Sequence, residues 1–432
     1  MISSISLALL GLSITANALP QVLDLSKACT HSFNSEQDAY TAWIESGAGI
    51  VLKSQDSMPE TRPNWVVNMD AFIRGDDDTG MTNMDCGSID GNCQPLLDCK
   101  KYKEKNLGSH YYVMRAIQGA HSLANYMREG LQDSAIESSL SIGSLIEYWK
   151  PEDSADKTMF SYLSAAFSMA SGATAADPRV SGFMGFMSGV TAAASQALDS
   201  DGEDYRGSME DVVLRMFSSS RDAIKNTLHA AMVADNADEV KKYLPEGSLA
   251  GFFGEGRYLF NDVSAVGQPV IDGMFKRMKQ ALVNVILRQT DHRVLVDDYI
   301  RDAGDCTYPG AWWSDSTSTC YYLIEKVGTS HHMCLSGDAD SCDWKPLTDD
   351  QKQNIESYGV DLGDLYKNAC QCAYQSQNSQ TSPDPKAIPT DGSLPQCFYS
   401  ITCRVGTPWD FSWDHSEVIE WYEIDEKRVP YS

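Results

Sequence analysis

The twelve cysteines of this 432-residue chain are confined to its two ends. Cys29, Cys86, Cys93 and Cys99 stand at the beginning, and Cys306, Cys320, Cys334, Cys342, Cys370, Cys372, Cys397 and Cys403 stand near the end. Residues 100–305 contain none. Even cysteine numbers in both flanks predict disulfides formed in an oxidising compartment. The thiol-free middle must then fold by apolar packing, clamped by cross-links at each side. Spacing narrows the alternatives. Six residues separate Cys86 from Cys93 and five separate Cys93 from Cys99, unlike the short Cys-x2-Cys pairs that hold zinc, so disulfide bonding is preferred. Cys370 and Cys372 are too close to join each other, and each is expected to reach elsewhere. All twelve are expected to be paired.

Residues 1–18 read as a secretory signal peptide. An apolar run through Ile5, Leu7, Leu9, Leu10 and Leu12 ends in Ala16-Asn17-Ala18, a small-x-small cleavage site, although no Lys or Arg precedes it. The expected location is therefore extracellular. The chain has 60 acidic residues against 34 basic ones, a formal net charge of -26. Such a surface favours solubility and repels nucleic acid and anionic lipid, whose binding is carried by Lys and Arg. No Asn-x-Ser/Thr acceptor for N-glycosylation occurs.

The middle of the chain carries helical periodicity. From Ser109 the residues Val113, Ile117, Ala120, Ala124 and Met127 recur at three- and four-residue intervals, with Gly130 where a helix would stop. A second helix is predicted over 134–149, ended by Pro151. Ser208-Met209-Glu210-Asp211 opens a third in capping-box style, with a stripe through Val213, Phe217, Ile224, Leu228 and Ala231. Pro269 suits the first turn of a fourth, lined by Ile271, Met274, Met278, Leu282 and Val285. Thr348-Asp349-Asp350-Gln351 starts one more. The fold class expected is mainly α, a multi-helix bundle with disulfide-bonded, irregular N- and C-terminal caps. The corresponding regions are 19–106 for the N-terminal segment, 107–302 for the helical body and 303–432 for the cysteine-rich C-terminal region. Residues 375–396, rich in Ser, Gln and Pro, read as an exposed loop.

Within the body, residues 158–198 form two nineteen-residue stretches free of charge, separated by Asp177-Pro178-Arg179. They are crowded with Ala, Ser and Gly, and Gly185 and Gly189 stand at the interval that lets helix backbones approach closely. A helical hairpin is expected. Each arm is long enough to cross a hydrocarbon core. However, Phe160, Leu163 and Phe167 supply only about -1 to -2 kcal/mol toward insertion, and four serines, two threonines and a glycine oppose it. The second arm, with Val180, Phe183, Phe186, Val190 and Leu198, supplies about -1.5 to -3 kcal/mol against three serines, a glutamine and three glycines. Buried core is the preferred reading and membrane insertion the alternative.

No metalloprotease, nucleophile-elbow or phosphate-loop motif is present, and no cofactor is expected. Gly251-Phe252-Phe253-Gly254-Glu255-Gly256 lacks the order of a dinucleotide turn and reads as a tight loop between helices. Asp199, Asp201, Glu203 and Glu210 occupy positions 1, 3, 5 and 12 of a calcium-loop pattern, but Asp204 stands where that loop needs glycine. A solvated acidic turn is preferred there. Likewise Arg74-Gly75-Asp76, an adhesion-like triplet, reads as an ordinary loop, and His331-His332 before Cys334 reads as exposed loop rather than metal ligand.

Two aromatic groups are candidates for ligand binding, Trp312 with Trp313 and Trp409 with Trp413. Around the second pair, Asp410, Asp414 and Glu417 add carboxylates. Rings that stack on sugar faces and paired carboxylates are what glycoside hydrolysis needs, so these three are the catalytic candidates. A terminal helix docked on a core would have the same composition.

In its signal peptide, its acidic charge, its Cys86-to-Cys99 cluster leading into the helix from Ser109, and its cysteine-rich tail, the chain resembles large secreted proteins of unknown function from filamentous fungi. The resemblance implies an extracellular fungal protein and assigns no catalytic residue. The 158–198 hairpin resembles that of α-helical pore-forming proteins in composition and in its place between longer helices. The function expected is binding of an extracellular ligand or host surface without catalysis. A membrane-active hairpin protein and a carbohydrate-active hydrolase are the alternatives.

Overall fold

A computed structural model describes residues 33–57, 64–75, 84–151, 208–244, 247–297, 300–307, 310–326, 344–378, 394 and 397–406. Residues 1–18, read as a signal peptide, residues 158–198, read as a hairpin, and Cys29, Cys334, Cys342, His331 and His332 lie outside them, as does the side chain of Cys99. The described residues are mostly helical, with thirteen α-helices.

Four of these helices correct the expectation of an irregular N-terminal cap: α1 (Glu36–Ser46), α2 (Ala48–Asp56), α3 (Trp65–Arg74) and α4 (Cys99–Glu104). Ordinary start signals account for two of them. Ser35 accepts from the Asp38 amide at the head of α1, and Asp98 accepts from the Lys100 amide at the head of α4. They escape a periodicity search because each is short, between 6 and 11 residues.

The long helices form where their stripes and caps predict. These are α5 (Gly108–Gly130) and α8 (Met209–Met232). Ser208 and Asp211 make the reciprocal capping box of α8, and Val213, Phe217, Ile224, Leu228 and Ala231 are all buried. Between them the single helix expected over 134–149 is two, α6 (Asp133–Leu140) and α7 (Ile142–Trp149). Ser141 has φ 50°, a left-handed conformation through which the hydrogen-bond ladder cannot run. The break lets Ile136, Leu140, Ile142 and Leu145 all face the core. Further along are α9 (Ala237–Tyr243) and α10 (Leu249–Phe253), the second followed by a 3-10 turn over Gly254–Gly256. The helix expected from Pro269 begins earlier: α11 runs Val263–Gln289, capped by Asp262, with the proline inside it. α12 (Asp349–Ser357) has the Thr348/Gln351 capping box, and α13 (Leu362–Asn378) follows.

The C-terminal region is likewise not irregular throughout. It contributes to a five-stranded sheet of β1 (His292–Asp297), β2 (Trp312–Ser314), β3 (Thr319–Lys326), β4 (Trp344–Pro346) and β5 (Cys403–Gly406). The order is β2-β3-β1-β5, with β4 also on β3. All pairs are antiparallel except β1 with β5. β1 falls inside the segment expected to be helical. Its register sets Val294 and Val296 into the main core, while Leu295 packs with Cys320, Tyr322 and Ile324 on the other face. A strand buried on both faces reads as a continuous apolar run without alternation, which is why no strand was legible.

Four disulfides are described: Cys86–Cys93, Cys306–Cys320, Cys370–Cys403 and Cys372–Cys397. No described cysteine is free. Cys370 and Cys372 do take separate partners, and these two bonds tie α13 to β5 and to the segment before it. Buried amides bind the helices to the tail as well. In α11, Gln280 donates to the Gly359 carbonyl and Asn284 accepts from the Ser400 amide. Among the described residues no helix is long and apolar enough to cross a membrane.

Candidate functional site

Among the described residues, four of the five exposed large apolar side chains lie on the first three helices. Tyr40 and Ile44 stand four residues apart on one side of α1, 42% and 58% exposed. Ile50 on α2 is 68% exposed and Phe72 on α3 is 60% exposed. The first turn of α5 links the last two. Ile50 and Ser109 both border Gly47, and the Ser109 hydroxyl donates to the Ser46 carbonyl at the α1–α2 corner. The next residue, His110, has its ring centroid 6.4 Å from that of Phe72. His110 Nδ1 is buried without a hydrogen-bond partner, and burial lowers its pKa from the usual histidine value.

A basic run borders the same face. Lys100, Lys101, Lys103 and Lys105 fall within six positions of a chain that is otherwise acidic. Lys105 Nζ donates to the Phe72 carbonyl at 3.0 Å and lies 5.9 Å from the centroid of its ring. Lys100 is 81% exposed and meets Glu104 only at 3.9 Å. One lysine of this run, Lys105, thus sits directly beside an exposed aromatic residue. This run was visible in the sequence but was averaged away by the total charge.

A second cluster lies where α8 gives way to α9. His229 is in the last turn of α8, Glu239 in the first turn of α9 and Asp235 in the connection. His229 Nδ1 is 3.7 Å from Glu239 Oε2, and the donor atoms of all three lie within 4.8 Å of one another. Sequence reading missed this cluster because its spacing matches no compact metal motif; only the reversal between the helices brings the residues together.

Of the residues marked from sequence, Trp312 is half-buried in β2, packed against Tyr321 and Gly363 with Lys367 Nζ 4.8 Å from its ring centroid. Trp313 points to the other face of the sheet, and its Nε1 donates to Asp315. Glu210 sits in the first turn of α8, where a carboxylate suits the positive end of the helix. Asp199, Asp201 and Glu203 lie outside the described residues, as do Trp409, Asp410, Trp413, Asp414 and Glu417. Arg74, of the Arg-Gly-Asp triplet, is paired with the buried Asp70.

Compared with protein families, with curated proteins and with solved structures, the chain matches none.

Proposed function

We propose that this is a secreted, disulfide-stabilised binding protein of the fungal extracellular kind, and that it recognises an acidic protein surface through the face of α1, α2, α3 and the start of α5. In this reading its helices form one bundle closed at both ends by cross-linked caps, and binding proceeds without catalysis. The observation that carries it is the exposure of Tyr40, Ile44, Ile50 and Phe72, with Lys105 of a four-lysine run standing beside the Phe72 ring. Apolar side chains left in water at one face supply the burial that drives association. The lysines supply orientation and on-rate toward carboxylates. An acidic protein patch fits better than an anionic bilayer. A bilayer would meet the whole acidic molecule, whereas screening over about 8 Å lets a small patch meet the lysines alone.

Selection of displayed peptides against the intact protein tests this, with counter-selection against an Ile44→Ser/Ile50→Ser/Phe72→Ser variant. These side chains are exposed, so thermal stability should change little. Enriched peptides should combine Asp or Glu with apolar residues and lose at least about tenfold in affinity on the variant. That loss corresponds to about 1.4 kcal/mol. Peptides that bind both proteins equally would overturn the assignment. Binding to anionic vesicles, lost in the same variant, would transfer the face to lipid.

A further inference from the structure

We propose that His229, Asp235 and Glu239 form a binding site for a divalent transition-metal ion of the zinc class. The donor set is one imidazole nitrogen with two carboxylates. Imidazole suits zinc, copper and nickel, whereas the hard ions calcium and magnesium take oxygen alone. An ion about 2.1 Å from each donor requires the donors to stand roughly 3.4 Å apart. His229 Nδ1 and Glu239 Oε2 are already at 3.7 Å, and the three-atom set closes within 4.8 Å. Small rotations of side chains that are 44% and 43% exposed complete the approach. Three protein donors leave further coordination positions for water or for a group on a partner.

Electrostatics favour a cation at this point. His229 lies at the carbonyl end of α8, where the helix dipole attracts positive charge. Among the described residues Asp235 has no cationic partner and Glu239 has only His229. The neutral imidazole that binds a metal leaves both carboxylates uncompensated.

The backbone beneath the cluster is held by other elements. Trp65 Nε1 donates to the Ala231 carbonyl at 2.9 Å, and the Asn64 amide donates to the Val233 carbonyl at 2.8 Å. The loop closed by Cys86–Cys93 presses on the same helix end. A Cβ on Gly87 would stand 2.3 Å from Val233 Cγ2, so only glycine admits this contact. The loop also brings a third acidic group, Asp85. Asp85 Oδ1 and His229 Cδ2 lie 3.7 and 3.8 Å from that same Cβ position. Both groups thus border Gly87, and Asp85 Oδ1 also accepts from the Ser88 amide at 3.0 Å. Three donors, one of them an imidazole, on a braced helix reversal distinguish this cluster from the acidic surface at large.

Calorimetric titration of zinc and then calcium into the intact protein at neutral pH tests the site. His229→Gln and Asp235→Asn/Glu239→Gln serve as variants. Wild type should bind one equivalent of zinc that either variant loses or binds at least about tenfold more weakly, and calcium in equal amount should not displace it. Cobalt(II) gives a second readout, a visible ligand-field band in wild type that is absent from His229→Gln. Unchanged melting temperatures without metal would show that the variants are folded. Equal zinc binding by wild type and His229→Gln would overturn the site, and displacement of zinc by calcium would reduce it to a general acidic surface.

Discussion

His292, the first residue of β1, is fully buried, with its ring 5.2 Å from that of Trp149. Thr290 Oγ1 donates to the Ile286 carbonyl, so it can only accept from His292 Nδ1–H at 2.8 Å. Nε2 is then the bare nitrogen, and it is buried without a partner. Burial pushes the His292 pKa down to about 4 from 6.5. Between those values the unfolded chain takes up a proton that the folded one refuses, so stability must fall with pH over that window and level off below it. The shift amounts to about 3 kcal/mol. His110 and His121 are also lowered by burial and act in the same direction. We expect the urea midpoint to fall from neutral pH to about pH 4, and His292→Gln to flatten that slope. The same slope in the variant would show that other groups set the acid sensitivity. No sequence signal marked His292, because an isolated histidine before a short apolar run is unremarkable until the strand is known to be central.

The helices were legible where a cap and a stripe agree, as at Ser208 with Val213, Phe217 and Ile224. They were misread where a tertiary contact overrides the local pattern, as at Ser141, or where a proline is carried inside a helix, as at Pro269. Close packing between α5 and α11 was also hidden. A Cβ on Gly267 would stand 2.5 Å from the Tyr126 ring, and one on Gly130 would stand 2.3 Å from Ile271 Cδ1. Gly143 in α7 has no neighbour within 4 Å of its Cβ position. The same substitution should therefore have opposite signs at two sites. Gly267→Ala forces the Tyr126 ring to move and should cost about 1–3 kcal/mol. Gly143→Ala meets only open space and should stabilise by about 0.4–1 kcal/mol. Thermal denaturation of the two variants decides. Destabilisation by both would mean that α7 is more crowded than its geometry indicates.

At the scale of the molecule, one apolar core runs from Phe33 to Cys403 and includes residues of the helices and of the sheet alike. The cross-links at its C-terminal side are nested. Cys372–Cys397 lies inside the 33-residue interval of Cys370–Cys403. With either bond intact the other closes only a short additional loop, so replacing one pair by serine should cost about 2–3 kcal/mol. Replacing both pairs should cost more than the sum, because the last staple on the whole segment is then lost. Urea unfolding of the two single-pair variants and the combined one measures this, and strict additivity would mean that the bonds act independently. Among the described residues β5 pairs only with β1 and lies at the sheet edge, so it should be the first element to lose hydrogen-exchange protection in these variants.

The sequence alone determined that the described part of the chain is mostly helical, where α5, α8 and most of α11 lie, though not α13, whose end falls in the segment read as a loop, and that Cys370 and Cys372 take different partners. Those properties depend on neighbours a few residues apart, which a sequence displays directly. Only the tertiary structure decided the rest. Pairing of β1 with β3 and β5 joins residues 23 or more positions apart, and its strands carry no alternation because both faces are covered. The exposed face of Ile50 and Phe72 is set by how α2, α3 and the start of α5 come together, and exposure is not a property of a residue type. The His229, Asp235 and Glu239 cluster depends on one helix reversing into another and being braced from outside by Trp65 and the Cys86–Cys93 loop. Both candidate sites are such distant juxtapositions, and they are set by packing rather than by local pattern.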